Sequence, residues 1–433
     1  MKIHHYIFNY LKLKTFPGLL STVTIICLLT FYCAALAQEN DGWHASQARI
    51  DTILKQFPKA NFYEDKIPPY TLPDVLTTIR GLKITNASDW MKLRRPEILE
   101  LFTSQVYGRV PSTAYTKTMK VVKVDKNAMN GTATLKLVDI TIAANAKSIT
   151  IHLGLFTPNK AKRPSPAFML ICNRPPENID FSRKTKREFW PAEQVIARGY
   201  AITAFNVEDV DPDYFDNFKN GIHGVLDKKR NNESWGTIAA WAWGASRCLD
   251  YLVIDKNIAH DKIVVIGHSR GGKTALWAGA NDQRFAMVVS NNAGTTGTSL
   301  CKRRVGETIG MINNTFPHWF CSNYKSYIGK EDSLPVDQHL LMACVAPRAL
   351  YVASADQDII GDPHGQYLAL WNSTPAFILF AATTNLPKAM PALNKSLRCG
   401  QVAYHIRDGI HDLTLRDWNL FMDFADQVLK KKH

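Results

Sequence analysis

The chain has 433 residues, which is enough for one large α/β domain with additions or for two domains. Its 46% hydrophobic and 21% charged residues are typical of a globular protein and exclude a disordered or low-complexity chain. The formal net charge of +14 favours attraction to polyanions, but no aromatic-basic module typical of RNA- or DNA-binding proteins is present, so we predict no nucleic-acid partner.

The first 37 residues have the features of a secretory signal peptide. A basic start precedes an apolar run over residues 19–36, which ends in the small residues of Ala35-Leu36-Ala37. A membrane anchor is the alternative, but the run is short for a span and carries Ser21, Thr22 and Thr24. We therefore predict a secreted or periplasmic monomer that is free of the membrane after cleavage. Cleavage removes three lysines and leaves 49 basic and 38 acidic residues, a net charge of +11, which suits an acidic polysaccharide.

Residues 38–112 form a predicted N-terminal extension that packs on the core or covers a cleft. Residues 41–56 and 89–107 have helical patterns, and Ser88 or Asp89 is the predicted cap of the second helix. No residue of the extension suggests chemistry.

Residues 113–433 alternate predicted strands with predicted helices, the pattern of a doubly wound α/β domain. Three amphipathic strands come first and indicate an antiparallel meander, whereas the later strands are short apolar runs typical of a buried parallel sheet. Two loops, 207–224 and 291–335, are too long to be plain connectors. The predicted strands are 116–125, 133–142, 148–156, 167–172, 199–205, 263–266, 286–290, 349–354 and 402–407, and the predicted helices are 235–254, 273–280 and 414–430.

The segment Gly267-His268-Ser269-Arg270-Gly271 lies between an apolar strand and a run of good helix formers. G-x-S-x-G in this setting is typical of the nucleophile elbow of α/β-hydrolases, with an ordinary strand-to-helix turn as the alternative. Side chains at Gly267 or Gly271 would collide with the neighbouring strand and helix. We therefore predict an α/β-hydrolase fold, a three-layer sandwich with a mostly parallel central sheet, in which Ser269 is the nucleophile.

A serine alcohol needs a base, and in this fold the acid and the histidine follow the serine on loops after later strands. His411 follows the last predicted strand and is the predicted base. The loop after strand 349–354 contains Asp356, Asp358 and Asp362. We predict Asp358 as the acid because it lies deepest in the turn, with Asp362 second and Asp356 third, and the aspartates not chosen are turn or cap residues.

The oxyanion of a tetrahedral intermediate needs hydrogen-bond donors within about 3 Å. The backbone N–H of Arg270 is the first predicted donor, and Asn173 or Arg174, after strand 167–172, supplies the second. The Arg270 guanidinium either adds positive charge at the same place or forms a surface salt bridge.

Six cysteines remain after the signal peptide, and an exported protein permits disulfides between them. The sequence does not choose among their fifteen complete pairings. No Cys-x-x-Cys or His-x-x-x-His pair is present, so we predict neither a metal site nor a cofactor. The six are Cys172, Cys248, Cys301, Cys321, Cys344 and Cys399.

The elbow and the residues after it, Gly-His-Ser-Arg-Gly-Gly-Lys-Thr-Ala-Leu-Trp-Ala from Gly267 onward, resemble the nucleophile segment of the bacterial glucuronoyl esterases, carbohydrate esterase family 15. Further similar segments extend the resemblance over nearly all of the mature chain, and their combination is highly specific. These segments are 68–73, 95–99, 106–109, 198–200, 209–213, 235–243, 306–308, 316–321, 404–407 and 411–414.

The family cleaves the ester between a glucuronic acid carboxyl group on xylan and an alcohol of lignin. The resemblance implies that Ser269 is the nucleophile, His411 the base and Arg270 an oxyanion-side residue. It also implies that Lys273 and Glu307 hold hydroxyls of the glucuronate ring, with a solvated helix lysine and a loop salt bridge as the alternatives. Lys273 lies one helical turn after the nucleophile and on the same face of the helix.

Two departures from the family pattern bear on the site. Many members carry a glutamate where Asn292 stands, and its absence here moves the acid role to Asp358. Many bacterial members carry a sugar-contacting tryptophan where Ile360 stands, so Ile360 occupies a substrate-binding position. Trp319, in the long loop with Glu307, is a candidate to stack on a sugar or to pack within the loop.

We therefore expect a secreted serine esterase that acts on glucuronate esters of an acidic polysaccharide through an acyl-enzyme. A carboxylesterase or acetyl xylan esterase of the same fold is the nearest alternative. A non-catalytic polysaccharide-binding protein is the alternative from another class, and the elbow and the late histidine favour an enzyme.

Overall fold

A ten-stranded mixed sheet forms the centre of the protein in the part of the chain that the computed structural model describes, residues 42–381 and 385–429. Residues 43–433 belong to one structural unit. The predicted signal peptide lies outside the described residues. Among the described helices, none combines the length and the apolar character needed to cross a membrane.

The strands are β1 Thr116–Asn127, β2 Ala133–Ala144, β3 Lys147–Pro158, β4 Ser165–Cys172, β5 Ala201–Asn206, β6 Ile258–His268, β7 Met287–Asn291, β8 Ala349–Ala355, β9 Ser396–Cys399 and β10 Val402–Arg407. They lie side by side in the order β1-β2-β3-β5-β4-β6-β7-β8-β10-β9. The first three form an antiparallel meander, and β3 pairs antiparallel with β5. From β5 to β10 neighbouring strands run parallel, and β9 closes the edge in the antiparallel sense. The predicted meander and the mostly parallel sheet are confirmed.

Helices connect the parallel strands and extend the chain before β1. The longest helical run before the sheet, over residues 87–107, contains π-helical turns on either side of its α-helical centre, Arg95–Phe102. The helices are α1 Gln47–Leu54, α2 over residues 87–107, α3 Ala192–Ala197, α4 Gly221–Leu226, α5 Thr237–Leu252, α6 Arg270–Asn281, α7 Ile309–Thr315, α8 Gln338–Ala343, α9 Pro363–Ile378 and α10 Leu415–Leu429.

Apolar side chains cover both faces of the parallel part of the sheet, because parallel strands are buried on each side. Side chains of β4 alternate between the faces. Met169 and Ile171 lie in one hydrophobic cluster with α5 and α6, whereas Phe168 and Leu170 lie in a second cluster with α3 and α10. Helices therefore enclose the sheet from two sides, which confirms the predicted three-layer sandwich.

Two details of the predicted elements are wrong. Asn86, rather than Ser88 or Asp89, caps α2, and its side-chain oxygen accepts the N–H of Asp89 at 2.9 Å. Asn is as good a cap as Ser or Asp, so composition alone did not locate the helix start. The edge strand β9 and the helices α3, α4, α7, α8 and α9 are absent from the predicted set. The strand β9 has four half-buried residues, α9 contains Pro375, and the other four helices have only six or seven residues each.

The N-terminal extension shares its hydrophobic core with the sheet. Trp90, Phe102 and Tyr107 of α2 are buried in the cluster on one sheet face. The Tyr107 ring stacks on Trp277 of α6, with the ring centroids 4.3 Å apart. The helix α1 contributes to a smaller cluster that includes Ile359, next to the predicted acid. Both helices of the extension are thus packed on the core.

The six cysteines are free thiols, and five of them are buried. Burial raises the pKa of both Cys172 and Cys344 to about 12, which keeps these thiols protonated and unreactive. The disulfides that an exported compartment permits are therefore not formed among the described residues.

Candidate active site

Ser269 is the one residue between β6 and α6. Its φ of 58° and ψ of −127° lie in a region that residues other than glycine rarely adopt, so the turn is strained. A Cβ on Gly267 would overlap the carbonyl oxygen of Gly271, and a Cβ on Gly271 would lie 2.9 Å from Asn173 Oδ1. The two glycines therefore permit the close approach of strand and helix that a nucleophile elbow requires.

His411 and Asp358 meet at the carboxyl edge of the sheet. His411 follows β10, and Asp358 follows the neighbouring strand β8. Asp358 Oδ2 lies 2.6 Å from His411 Nδ1. The aspartate side chain is 5% exposed, whereas the histidine side chain is 41% exposed. A buried carboxylate on Nδ1 favours the tautomer that leaves Nε2 free to accept a proton.

The other two aspartates of the same loop have different partners. Asp356 accepts the N–H of Gly409 with Oδ1 at 2.8 Å and pairs with Arg49 through Oδ2 at 2.8 Å. Asp362 caps α9 and pairs with the buried Arg303, whose Nε lies 2.9 Å from Oδ2. Of the three candidate acids, only the middle aspartate contacts the histidine within the described part of the chain.

A cleft of about 880 Å³ lies over the elbow. The eight residues predicted for catalysis and substrate binding all line it, and so does Asn292. The sheet brings them together from the elbow and from the loops after β7, β8 and β10. The eight are Ser269, Arg270, Lys273, Glu307, Trp319, Asp358, Ile360 and His411.

The candidates for the second oxyanion donor make different contacts. Arg174 Nη2 pairs with Asp412 Oδ1 at 2.7 Å, and the guanidinium covers the Phe189 ring. Asn173 lies against Gly271 of the elbow, and its buried Oδ1 has no hydrogen-bond partner among the described residues. The choice between their donors stays a prediction.

The Arg270 side chain is fixed in the wall of the cleft. Its guanidinium pairs with Asp213 and lies 4.9 Å from the ring centroid of Trp319 and 5.1 Å from that of Phe316. Burial opposes ionisation of Asp213, but the hydrogen bond with His318 and the charge of Arg270 hold its pKa below its ordinary value. Of the two predicted alternatives for the guanidinium, the salt bridge is present.

Lys273 and Glu307 form a charged pair in the same wall. Lys273 Nζ lies 3.8 Å from Glu307 Oε2 and donates to the carbonyl oxygens of Ala293 and Thr295 at 2.6 and 2.5 Å. Burial lowers the pKa of Lys273 and raises the pKa of Glu307. The lysine is buried, which excludes the solvated-lysine alternative. An ammonium group has three donors, so one remains for a ligand in the cleft.

In the cleft, Phe316 is more exposed than Trp319. The buried Trp319 ring stacks on Phe316 with a centroid distance of 3.7 Å and an interplanar angle of 2°, and its indole N–H donates to Asp213 at 2.8 Å. Phe316 is only half-buried and lines the cleft. The sequence prediction overlooked Phe316, although it lies in the segment 316–321 that carries the family resemblance.

The two positions that depart from the family pattern serve as supports. Asn292 Nδ2 donates to the carbonyl oxygen of Asp412 at 3.0 Å, and its Oδ1 has no partner in the described part of the chain. An amide in this place supports the loop of residues 408–414 (the histidine loop), and it has no negative charge that could stabilise an imidazolium. Ile360 packs in one apolar cluster with Ile53 and Phe57 of the extension.

The helix α1 forms a wall of the cleft, which is one of the two arrangements expected for the extension. The extension was expected to carry no chemistry, yet Arg49 pairs with Asp356 in the loop of residues 356–362 (the acid loop). No motif marks α1, and its partners lie about 300 residues later in the chain. The cleft-lining residues in and around α1 are Ser46, Ala48, Arg49, Thr52, Ile53, Gln56 and Phe57.

Among the described residues, no group of three His, Cys, Asp or Glu side chains is arranged to hold a metal ion. The cleft instead combines a strained serine, a histidine with a buried carboxylate and a fixed guanidinium. These are the parts that acyl transfer to a serine requires.

Comparison with known sequences points to one family. The sequence model described as glucuronyl esterase, fungi, matches residues 140–373. Carbohydrate esterase MZ0003, from an unknown prokaryotic organism, is 37% identical over 398 residues, which is 84% of this chain and 91% of that protein. A 4-O-methyl-glucuronoyl methylesterase of Podospora anserina is 28% identical over 303 residues, 67% of this chain and 56% of that protein.

Solved structures agree with the sequence comparison. The glucuronoyl esterase from Solibacter usitatus superimposes with a TM-score of 0.78 at 36% identity, covering 84% of this chain and 99% of that one. A promiscuous CE15 esterase from a marine bacterial metagenome gives 0.78 at 36% identity, over 85% of this chain and 100% of that one. A CE15 glucuronoyl esterase from Teredinibacter turnerae gives a TM-score of 0.74 at 30% identity, covering 85% of this chain and 92% of that one.

Proposed function

Because this chain belongs to the glucuronoyl esterases of carbohydrate esterase family 15, which are α/β-hydrolases and carboxylic ester hydrolases, we propose that it is a serine esterase for glucuronate esters. The proposed substrate is the ester between (4-O-methyl-)glucuronic acid of glucuronoxylan and a lignin alcohol. The proposed place of action is outside the cytoplasm, after removal of the first 37 residues. The names of relatives such as 4-O-methyl-glucuronoyl methylesterase support the acyl part of this substrate.

One observation carries the proposed mechanism. His411 Nδ1 lies 2.6 Å from the buried carboxylate of Asp358, in the cleft that Ser269 also lines. A histidine held in this way removes the proton from the serine hydroxyl as its oxygen attacks the ester carbonyl carbon. The carboxylate keeps the imidazole oriented and stabilises the imidazolium that forms.

The proposed reaction has two steps. Attack of Ser269 gives a tetrahedral oxyanion, which the N–H of Arg270 stabilises together with the fixed guanidinium. His411 then returns the proton to the leaving alcohol, and the glucuronoyl group stays on the serine as an ester. A water molecule, deprotonated by the same histidine, attacks this ester, and the histidine returns the proton to the serine oxygen as the glucuronic acid carboxyl group leaves.

The charged pair beside the elbow supports a sugar as the acyl group. Lys273 keeps one N–H free of protein carbonyls, and Glu307 supplies carboxylate oxygens, so the pair offers both a donor and an acceptor to ring hydroxyls. Phe316 adds an apolar ring surface, which suits the C–H face of a sugar.

Hydrolysis of benzyl or methyl glucuronate tests the proposal. The wild-type protein should cleave both esters, and Ser269→Ala should abolish turnover. Undiminished turnover by Ser269→Ala would remove the serine from the mechanism. Acetylated xylan is the comparison substrate, and a preference for it would identify an acetyl xylan esterase of the same fold. A serine-reactive phosphonate that labels Ser269 would exclude a non-catalytic binding protein.

A further inference from the structure

The ion pair between Arg49 and Asp356 joins the N-terminal extension to both loops that carry the histidine and its acid. Arg49 Nη2 lies 2.8 Å from Asp356 Oδ2. The other oxygen of the same carboxylate accepts the N–H of Gly409 at 2.8 Å. Asp356 stands two residues before Asp358, and Gly409 stands two residues before His411. One carboxylate therefore connects the helix α1, the acid loop and the histidine loop.

The same two loops are also joined along their backbones. The N–H of Asp356 donates to the carbonyl oxygen of Arg407 at 2.9 Å, and the N–H of Gln357 donates to Gly409 at 3.1 Å. These bonds continue the parallel pairing of β8 with β10 into the loops. The distance between the acid and the histidine thus depends on how the loops are held at Asp356.

Asp356 needs a cation for this arrangement. Its side chain is 6% exposed, and an ionised carboxylate that is buried without a counter-charge is strongly disfavoured. Arg49 is the ion-pair partner that the described residues provide for it. Without that partner, the carboxylate would have to move to find another counter-charge or water, and the bond from Oδ1 to Gly409 would be weakened.

We propose that Arg49 is a positioning residue for the ester hydrolysis, and that α1 is a functional part of the active site. By neutralising Asp356, Arg49 holds the acid loop against the histidine loop and so preserves the contact between Asp358 and His411. The inference rests on the proposed serine mechanism and extends it to a helix that lies more than 200 residues before the nucleophile in the chain.

The helix does not depend on this ion pair for its attachment. Ile50 of α1 is buried with Phe62 and Ile359, and Ile53 packs on the same cluster. A substitution of Arg49 should therefore leave α1 docked and the protein folded. This permits a test of positioning that is separate from a test of folding.

The test compares Arg49→Met, Arg49→Lys and the control Lys55→Met in the full mature chain. Lys55 is an exposed residue at the end of α1, so the control removes one cation from the same helix without touching the cleft. Active sites are counted with a serine-reactive phosphonate, and kcat and KM are measured with benzyl glucuronate. The downfield proton resonance of the hydrogen bond between His411 Nδ1 and Asp358 is identified by its loss in His411→Ala.

Arg49→Met should lower kcat per active site by roughly 10- to 100-fold with KM changed by less than about twofold, because sub-ångström displacement of the base affects chemistry more than binding. The downfield resonance should broaden or disappear. Arg49→Lys restores a positive charge, so it should recover part of the kcat and part of the downfield resonance. Lys55→Met should match the wild type.

An unchanged kcat for Arg49→Met, or a resonance that persists unaltered, would overturn the inference, as would an equal loss in Lys55→Met. The resonance requires no substrate. If the wild-type protein cleaved no glucuronate ester, the proposed function would fail while the effect of Arg49 on the hydrogen bond would still be measured.

Discussion

Asn292 donates its side-chain amide to the carbonyl oxygen of Asp412, the residue that follows His411. It also has a φ of 47°, a left-handed conformation that asparagine adopts more easily than most residues. The side chain therefore braces the histidine loop from a position where the family pattern expects a glutamate. The carboxylate that contacts the histidine comes from the loop after β8 instead.

The first prediction concerns this brace. Asn292→Glu should destabilise the protein by about 1–3 kcal/mol, because a carboxylate would face the Asp412 carbonyl oxygen with no proton to donate. Asn292→Ala should cost only about 1 kcal/mol, since Asn291 and Arg407 still donate to the same oxygen at 3.0 and 2.7 Å. Urea unfolding measures both. A glutamate variant as stable as the wild type would contradict the prediction.

The second prediction assigns the acid. Asp358→Asn should lower kcat/KM for benzyl glucuronate by about 1,000- to 10,000-fold, because an amide that donates to Nδ1 selects the wrong tautomer of His411. Asp362→Asn is the matched control in the same loop. It weakens the pairing with Arg303 and the cap of α9, so its main effect should be a lower Tm. The opposite order of activity losses would reassign the acid to Asp362.

The third prediction separates sugar recognition from chemistry. Lys273→Met keeps the length of the side chain but removes the ammonium donor and leaves Glu307 without its nearby cation. The KM for methyl glucuronate should rise roughly 10- to 100-fold, as expected when a hydrogen bond to a charged group is lost. Turnover of a simple ester such as p-nitrophenyl acetate should change little. Equal losses on both esters would place Lys273 in the chemistry or in the fold instead.

The fourth prediction concerns acid stability at the junction of the extension with the core. Burial opposes ionisation of Glu64, but the hydrogen bond with His364 and the charge of Arg303 lower its pKa from 4.5 to about 2. A carboxyl group whose pKa is lower in the folded than in the unfolded protein stabilises the folded state at pH values above the unfolded pKa. This contribution is lost as the pH falls from about 4.5 to 2.

Glu64→Gln should therefore cost stability at pH 6 and cost much less at pH 3. Urea unfolding of both proteins at the two pH values measures the difference, which should be modest because the Glu64 side chain is 45% exposed. Parallel stability curves for the variant and the wild type between pH 6 and pH 3 would show that the residue is not linked to acid unfolding.

Much of the site could be predicted because its parts follow local rules. The elbow around Ser269 is a short motif between a strand and a helix, and His411 follows the last parallel strand. Parallel neighbours place their carboxyl ends at one edge of a sheet, so Asp358 after β8 had to lie near the histidine after β10. The charged pair of Lys273 and Glu307 was reached through the family resemblance, since spacing alone does not relate a helix to a distant loop.

The individual side-chain contacts in the wall of the cleft could not be predicted, for a physical reason. The contact between Arg49 and Asp356 joins residues that are about 300 positions apart, and neither lies in a motif. The stacking of Trp319 on Phe316 depends on how a long irregular loop folds back on itself, which periodicity does not encode. Side-chain partners of this kind follow from tertiary packing and leave no repeating pattern in the chain.

The buried, unpaired thiols bear on how the protein can be made. Since none of the six cysteines is cross-linked in the part of the chain that the structure describes, the hydrophobic clusters on the two sheet faces hold the fold without covalent help. Reductants such as dithiothreitol should leave its melting curve unchanged. Preparation of residues 38–433 from the cytosol of an expression host therefore needs neither an oxidising strain nor a disulfide isomerase.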